Sequence, residues 1–326
     1  MRGWAFFIYL PVALAVAAML AGPACAGADE APLPGPTDAA AALDAVKRLA
    51  RQADVIAIGE AHDNPVHHTI ETRVLELVVA GGERLVLALE MLTLDQQTVV
   101  DAALAQGSSA ADLERRLAWQ ARGWPDFAMY YPLFEVAERQ RLPVLAADLD
   151  PTTKRAISRG GLPALSEGDR AGVVSRLPSD PAREAELRQD LQTAHCGLLS
   201  PAAQAAMADA WHARNVTMAR RVADALAHGR KVVLITGRAH LAADGIPGQL
   251  LALRPGTRIG IMDLAETPGG EPLPNADVVW RTPGVDRPDR CAEFRQHRQH
   301  PPQWQSAPGR DSDPSTTKDQ EVTPRK

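Results

Sequence analysis

Two segments of the chain repeat one spacing: Gly59-Glu60-Ala61-His62 and Gly237-Arg238-Ala239-His240 each set a histidine three residues after a glycine. Each follows a short apolar run, Val55 to Ile58 and Val232 to Thr236, and a third run, Leu85 to Leu89, stops at Glu90. Parallel strands bring their carboxyl ends to one sheet edge, where open α/β folds bind ligands. Glu60, His62, Glu90 and His240 are therefore expected to converge. Two imidazoles with carboxylates suit a divalent transition metal, held by His62, Glu90 and His240, and the same groups serve as general acid and base. In a hydrolase the metal would polarise a carbonyl and activate water while Glu60 moved the proton. The plainer reading makes each histidine a cap or a partner for a buried backbone group. Repetition at equivalent strand ends favours the functional one, and a carboxylate ending an apolar strand needs a partner. The glycines are expected to let the backbone turn sharply as it leaves the sheet.

Other polar residues carry weaker signals. His67 and His68 fall in the first turn of a helix opened by Asn64-Pro65, where the helix dipole favours neutral imidazoles able to ligate; capping or exposure explains them equally well. Asp148 ends a strand run and would serve as a cap. His195 lies beside Cys196, His212 and His228 fall on a long helix, and His297 and His300 lie near the C-terminus. A nucleophile elbow, a phosphate-binding glycine loop and a zinc-ribbon spacing are all missing from the sequence.

The elements that must position these groups alternate along the chain. Apolar runs at Val55 to Ile58, Leu85 to Leu89, Val144 to Ala147, Val232 to Thr236, Arg258 to Met262 and Val278 to Trp280 alternate with helical patterns. Strands apolar on both faces imply a mostly parallel sheet with helices on both sides, hence an α/β fold. A helix is expected over Pro65 to Val79, with Asn64 as N-cap and Gly81-Gly82 as its stop. Leu94 to Arg139 reads as helices broken at Gly123-Trp124-Pro125. Ser166 to Gly229 reads as a helical insertion or cap, with Ser200-Pro201 opening a helix that runs to about His228. Residues 283 to 326, rich in proline and scattered charge, are expected to be mostly disordered.

Residues 1 to 28 have a basic Arg2, an apolar stretch from Trp4 to Leu20 and small residues before a cleavage point, the pattern of a secretory signal peptide. The expected location is periplasmic, with membrane contact only through the signal or a lipid anchor. Cys25 offers the lipid-anchored alternative, although Gly22 and Pro23 make a poor lipid-attachment box. A retained membrane anchor is the other reading, opposed by Pro11 and the Ala/Gly-rich end. Cys196 and Cys291 then remain in the mature protein, a pair able to form one disulfide in an oxidising compartment and too few for a four-thiolate metal site. With 35 basic against 40 acidic side chains and a net charge of −5, the chain lacks the basic footprint for nucleic acid. Its 326 residues suffice for one large domain, expected over residues 29 to 282. Aromatic residues are scarce at 4%, yet Trp119, Trp124, Phe127, Tyr130, Tyr131 and Phe134 cluster, a candidate wall for a flat ligand.

The segment GEAHDNPVHH at residues 59 to 68, with ALEML at 88 to 92, YYPL at 130 to 133, HCGLLSP at 195 to 201 and TGRAHLAADGIP at 236 to 247, resembles the ChaN family. That family comprises haem-binding uptake proteins of the Tiki superfamily. The resemblance implies an exported, often lipid-anchored α/β protein associated with haem or iron uptake, and a haem shared across a homodimer. Haem requires an apolar cleft and an axial donor, for which Tyr130, Tyr131, His67 and His68 are the candidates. The superfamily also contains metal-dependent proteases of the Tiki and TraB type, and its paired Gly-x-x-His motifs and glutamate match His62, His240 and Glu90. Trp211, Arg214-Asn215 and Arg238-Ala239 depart from the usual pattern, which commonly has glutamine, Arg-Asp and Asn-Gly there.

Overall fold

The computed structural model describes residues 39–174, 180–289 and 291–292. The expected signal segment and residues 293–326 lie outside the described residues. In chain order the elements are α1 (Ala39–Gln52), β1 (Val55–Glu60), α2 (Pro65–Val79), β2 (Leu85–Thr93), α3 (Gln97–Gln106), α4 (Ala110–Arg116), α5 (Phe127–Gln140), β3 (Val144–Asp148), α6 (Pro151–Gly160), α7 (Glu167–Val174), α8 (Pro181–Ala194), α9 (Pro201–Ala227), β4 (Lys231–Gly237), α10 (Ile246–Leu253), β5 (Ile259–Thr267) and β6 (Val278–Pro283).

Each apolar run is a strand. All six pair in parallel in the order β3-β2-β4-β1-β5-β6, with Ile58 level with both Ile235 and Met262. Every residue of β1 and β2 is buried, which is why these runs are apolar without alternation. Edge strand β6 alternates buried with exposed residues instead. On one face Val55, Ala57, Val86, Ala88, Val232 and Leu234 pack against Met218, Ala219 and Val222 of α9 and Leu250 of α10. Helices α6 and α8 lie on α9, while α1, α2 and α5 associate on the other side with α1 against β5 and β6.

The start of α2 is fixed as the sequence suggests: the Asn64 side chain accepts from the Val66 amide and Pro65 occupies the first turn. Helix α9 opens in the same manner, with the Ser200 hydroxyl capping the Ala203 amide and Pro201 behind it. Its 27 residues cross the sheet and bring Trp211, Arg214 and Asn215 over the carboxyl ends of the strands.

Cys196 and Cys291 are joined by a disulfide, their Cα atoms 5.4 Å apart. Arg287 forms ion pairs with Asp63, in the loop after β1, and with Glu266 of β5. The stretch following Pro283 is therefore tied back to the sheet edge that holds the site.

Candidate functional site

Glu60, His62, Glu90 and His240 meet at the carboxyl edge of the sheet. His62 Nδ1 lies 2.7 Å from Glu60 Oε1, and the Tyr130 hydroxyl donates to the same oxygen at 3.1 Å and to the His62 carbonyl at 3.2 Å. His62 Nε2 points towards Glu90 Oε1 at 4.0 Å, beyond hydrogen-bond reach. The His62 side chain keeps 31% of its surface exposed, with Trp124 edge-on at a ring separation of 5.0 Å.

Glu90 is buried and fully engaged. Its Oε2 accepts from the Thr236 hydroxyl at 2.5 Å and from the Gly237 amide at 2.7 Å, and its Oε1 pairs with Arg214. Arg214 also grips Asp148, at 3.1 Å to both carboxylate oxygens through Nε and 2.9 Å through a terminal nitrogen. Asp148 is thus the strand-end partner of a buried guanidinium. Burial opposes ionisation of Glu90, but the charges of His240 and Arg214 hold it well below the usual carboxylate range. Near neutral pH, where His240 is uncharged, Arg214 and the protonated His62 carry that effect.

His240 Nδ1 donates to Asn215 Oδ1 at 2.8 Å, and the Asn215 amide donates to the Trp211 carbonyl at 3.0 Å, which fixes both the amide orientation and the imidazole tautomer. Its Nε2 lone pair therefore faces Glu90 Oε1 at 3.5 Å. Burial pushes His240 down to about 4. The Trp211 indole stacks on its ring with planes 12° apart. The two histidines are accordingly different groups: one enclosed and neutral, the other partly open at the surface. Burial also opposes charge on His62, yet the Glu60 hydrogen bond and the Glu90 and Glu60 carboxylates push it up to about 9.

The repeated glycines act by space rather than by turning, which corrects the expectation from sequence. Neither Gly59 nor Gly237 has the positive φ that would demand glycine. A Cβ on Gly237 would lie 2.9 Å from His62 Nε2, and one on Gly59 would lie 3.1 Å from Leu241 and 3.3 Å from the Arg238 backbone. Glycine lets the histidine and the second loop close onto the strand ends.

The remaining sequence candidates are separated from the cleft. His67 is buried: Nδ1 accepts from the Ala61 amide at 2.9 Å and Nε2 pairs with Thr282 at 2.8 Å, while burial lowers it to about 4. His68 is buried too, with Nε2 donating to the His62 carbonyl at 2.9 Å. Tyr130 is fully buried with its hydroxyl engaged, and burial raises it far above the usual phenol range. Tyr131 is half-buried, its ring 6.0 Å from that of Phe127. Trp119, Phe127, Tyr130 and Phe134 pack on one another in the core, so Trp124 and Tyr131 alone of the aromatic cluster reach the surface. His212 is buried against Glu184 at 2.9 Å, His195 and His228 bond back to their own helices, and His297 and His300 lie outside the described residues.

Metal ligation by His62, Glu90 and His240 would have to share Glu90 Oε1 with the Arg214 guanidinium, whose positive charge opposes a cation beside it. Among the described residues, the acidic and histidine side chains whose donor atoms all come within 4.8 Å of one another are Glu60, His68 and Glu71. Glu71 was not singled out in the sequence, although a carboxylate on the buried face of α2, between Ile70 and Val74, is the signal that marks it. Trp211, Arg214 and Asn215, which read as departures from the usual motif, are working parts of the site. Arg238, the other departure, is instead engaged beside the site, its guanidinium holding Asp263 at 2.5 and 2.9 Å.

The fold and site define an α/β protein with a histidine and carboxylate cluster at the carboxyl edge of a parallel sheet. The chain belongs to the ChaN family, described as haem-binding uptake proteins of the Tiki superfamily, whose model matches residues 46–250. That family indicates a haem-binding, uptake-related protein. The fold is similar to ChaN of Campylobacter jejuni, for which cofacial haem binding is described, with a TM-score of 0.58 and 22% identity over 74% of this chain and 92% of that one. A Bacillus cereus protein aligns with a TM-score of 0.45 and 14% identity, over 78% of each chain. No curated protein sequence matches the chain.

Proposed function

We propose that this is an exported haem-binding protein that takes part in haem or iron uptake, and that haem docks on the exposed side of His62. The observation that carries the reading is the state of His62: Glu60 holds its Nδ1, Nε2 lies 4.0 Å from Glu90, and Trp124 stands beside it. Haem sites combine an axial donor with apolar, aromatic walls, and Trp124 and Trp211 flank the two histidines of this cluster. Tyr130, His67 and His68 are buried inside the protein, so His62, which would bind iron in exchange for its Nε2 proton, and Tyr131 remain as accessible donors. Bound iron would supply the affinity; the chain would supply the imidazole, its orientation through Glu60, and the indole walls.

Export is supported by the pattern of residues 1–28 and by the Cys196–Cys291 disulfide, a bond that persists in oxidising compartments. A homodimer bringing two haem faces together accords with the cofacial binding described for the C. jejuni protein. Hemin titration of the mature chain tests the reading: a saturable Soret shift at micromolar hemin supports it, and only non-saturable absorbance overturns it. Loss of haem-dependent growth on deletion of the gene, with the protein found in the periplasmic fraction, tests uptake and export.

The Glu60–His62 pair favours one second reading, a hydrolase in which His62, protonated near neutral pH, acts as general acid through its Nε2–H. Turnover of ester or peptide substrates that disappears in His62→Ala, by a protein that ignores hemin, would select it.

A further inference from the structure

We propose that Glu60, His68 and Glu71 form a buried site for one divalent transition cation of the Mn2+ or Zn2+ type, beneath His62 and closed off from the cleft. His68 Nδ1 lies 3.1 Å from Glu60 Oε2 and 3.1 Å from Glu71 Oε2. Its Nε2–H is committed to the His62 carbonyl, so Nδ1 presents a lone pair to two carboxylate oxygens. A lone pair facing carboxylates is a repulsive arrangement unless a cation or a shared proton lies between them.

A second observation points to a ligand. Glu60 Oε2 and Glu71 Oε1 are buried without a hydrogen-bond partner, in side chains with no exposed surface. Buried polar atoms normally find partners, and two such atoms in one cluster mark an unmet coordination demand. Burial pushes both carboxyls up, Glu60 to about 8 and Glu71 to about 7, so two negative charges are costly in this site without solvent, and one divalent cation would neutralise both. One imidazole nitrogen with carboxylate oxygens suits Zn2+ or Mn2+. The surroundings orient the donors as outer partners of metal ligands do: the His62 carbonyl fixes the His68 ring, while His62 and Tyr130 hold Glu60 by Oε1 and leave Oε2 directed inwards. A closed cage of this kind is structural, so its occupancy is read in stability.

The test uses the untagged mature chain, produced with Mn2+ or Zn2+ supplied and compared with Glu71→Gln, which keeps the volume and removes one charge. Native mass spectrometry should find one metal ion per wild-type chain, with at least a tenfold lower occupancy in Glu71→Gln and unchanged occupancy in His240→Gln. Removing the ion with a strong chelator should lower the wild-type Tm by about 5 °C or more and leave that of Glu71→Gln unmoved. Wild-type protein without stoichiometric metal would overturn the proposal and leave a proton shared by the carboxylates. Metal retained in full by Glu71→Gln would also overturn it, by placing the ion elsewhere. Neither readout involves hemin, so the proposal stands or falls apart from the haem reading.

Discussion

Glu60 and His62, two residues apart at the end of β1, are joined by a 2.7 Å hydrogen bond between a fully buried carboxylate and a ring that faces the cleft. The sheet holds the first residue and the loop presents the second. The imidazole tautomer and the ring plane are thereby set from behind, whatever binds at Nε2. Glu60→Gln should remove the hydrogen-bonded charge that, with Glu90, offsets burial, and the His62 pKa should fall from about 9 towards its ordinary 6.5. Histidine NMR titration checks this; a value unchanged near 9 would count against the pair.

Arg214 bridges Glu90 and Asp148, neither of which is exposed. Arg214→Ala would leave both carboxylates without their shared cation, at an expected cost of about 3–5 kcal/mol. Urea denaturation with an unchanged m-value measures it, and Arg214→Lys should recover only part of the loss because one ammonium cannot reproduce the planar fork.

Gly237 leaves room for the His62 ring. Gly237→Ala should displace that ring at about 1–3 kcal/mol of stability and weaken hemin binding by far more than a distant alanine substitution does. Equilibrium titration beside a thermal melt separates the two effects.

His240 is neutral in the fold because burial lowers it to about 4. The unfolded chain takes up a proton below pH 6.5 and the folded chain does not, so stability is present above 6.5 and falls as the pH drops towards 4. His240→Gln should lose this component, on the order of 2–3 kcal/mol across the window. Denaturation midpoints at pH 7 and pH 4.5 for both proteins reveal it as a difference of slopes.

The scaffold was largely legible from sequence because burial on both faces leaves a continuous apolar run: Val55 to Ile58 and Leu85 to Leu89 cannot be anything exposed. Asn64-Pro65 and Ser200-Pro201 wrote the helix starts as local hydrogen-bond chemistry. The convergence of Glu60, His62, Glu90 and His240 followed from strand direction alone. The partners that decide what those four do were hidden, since Arg214 and Asn215 reach Glu90 and His240 only through the crossing of α9 over the sheet. The aromatic cluster misled for a related reason. Trp119, Phe127, Tyr130 and Phe134 fill the core around α5, and composition does not distinguish a wall from a filling.

The most direct test of the account is hemin titration of the wild-type chain, His62→Ala and Tyr131→Phe at equal concentrations. The account expects saturable binding by the wild type, a Soret shift and at least a tenfold loss of affinity in His62→Ala, and little change in Tyr131→Phe. Full affinity and an unaltered spectrum in His62→Ala would contradict it.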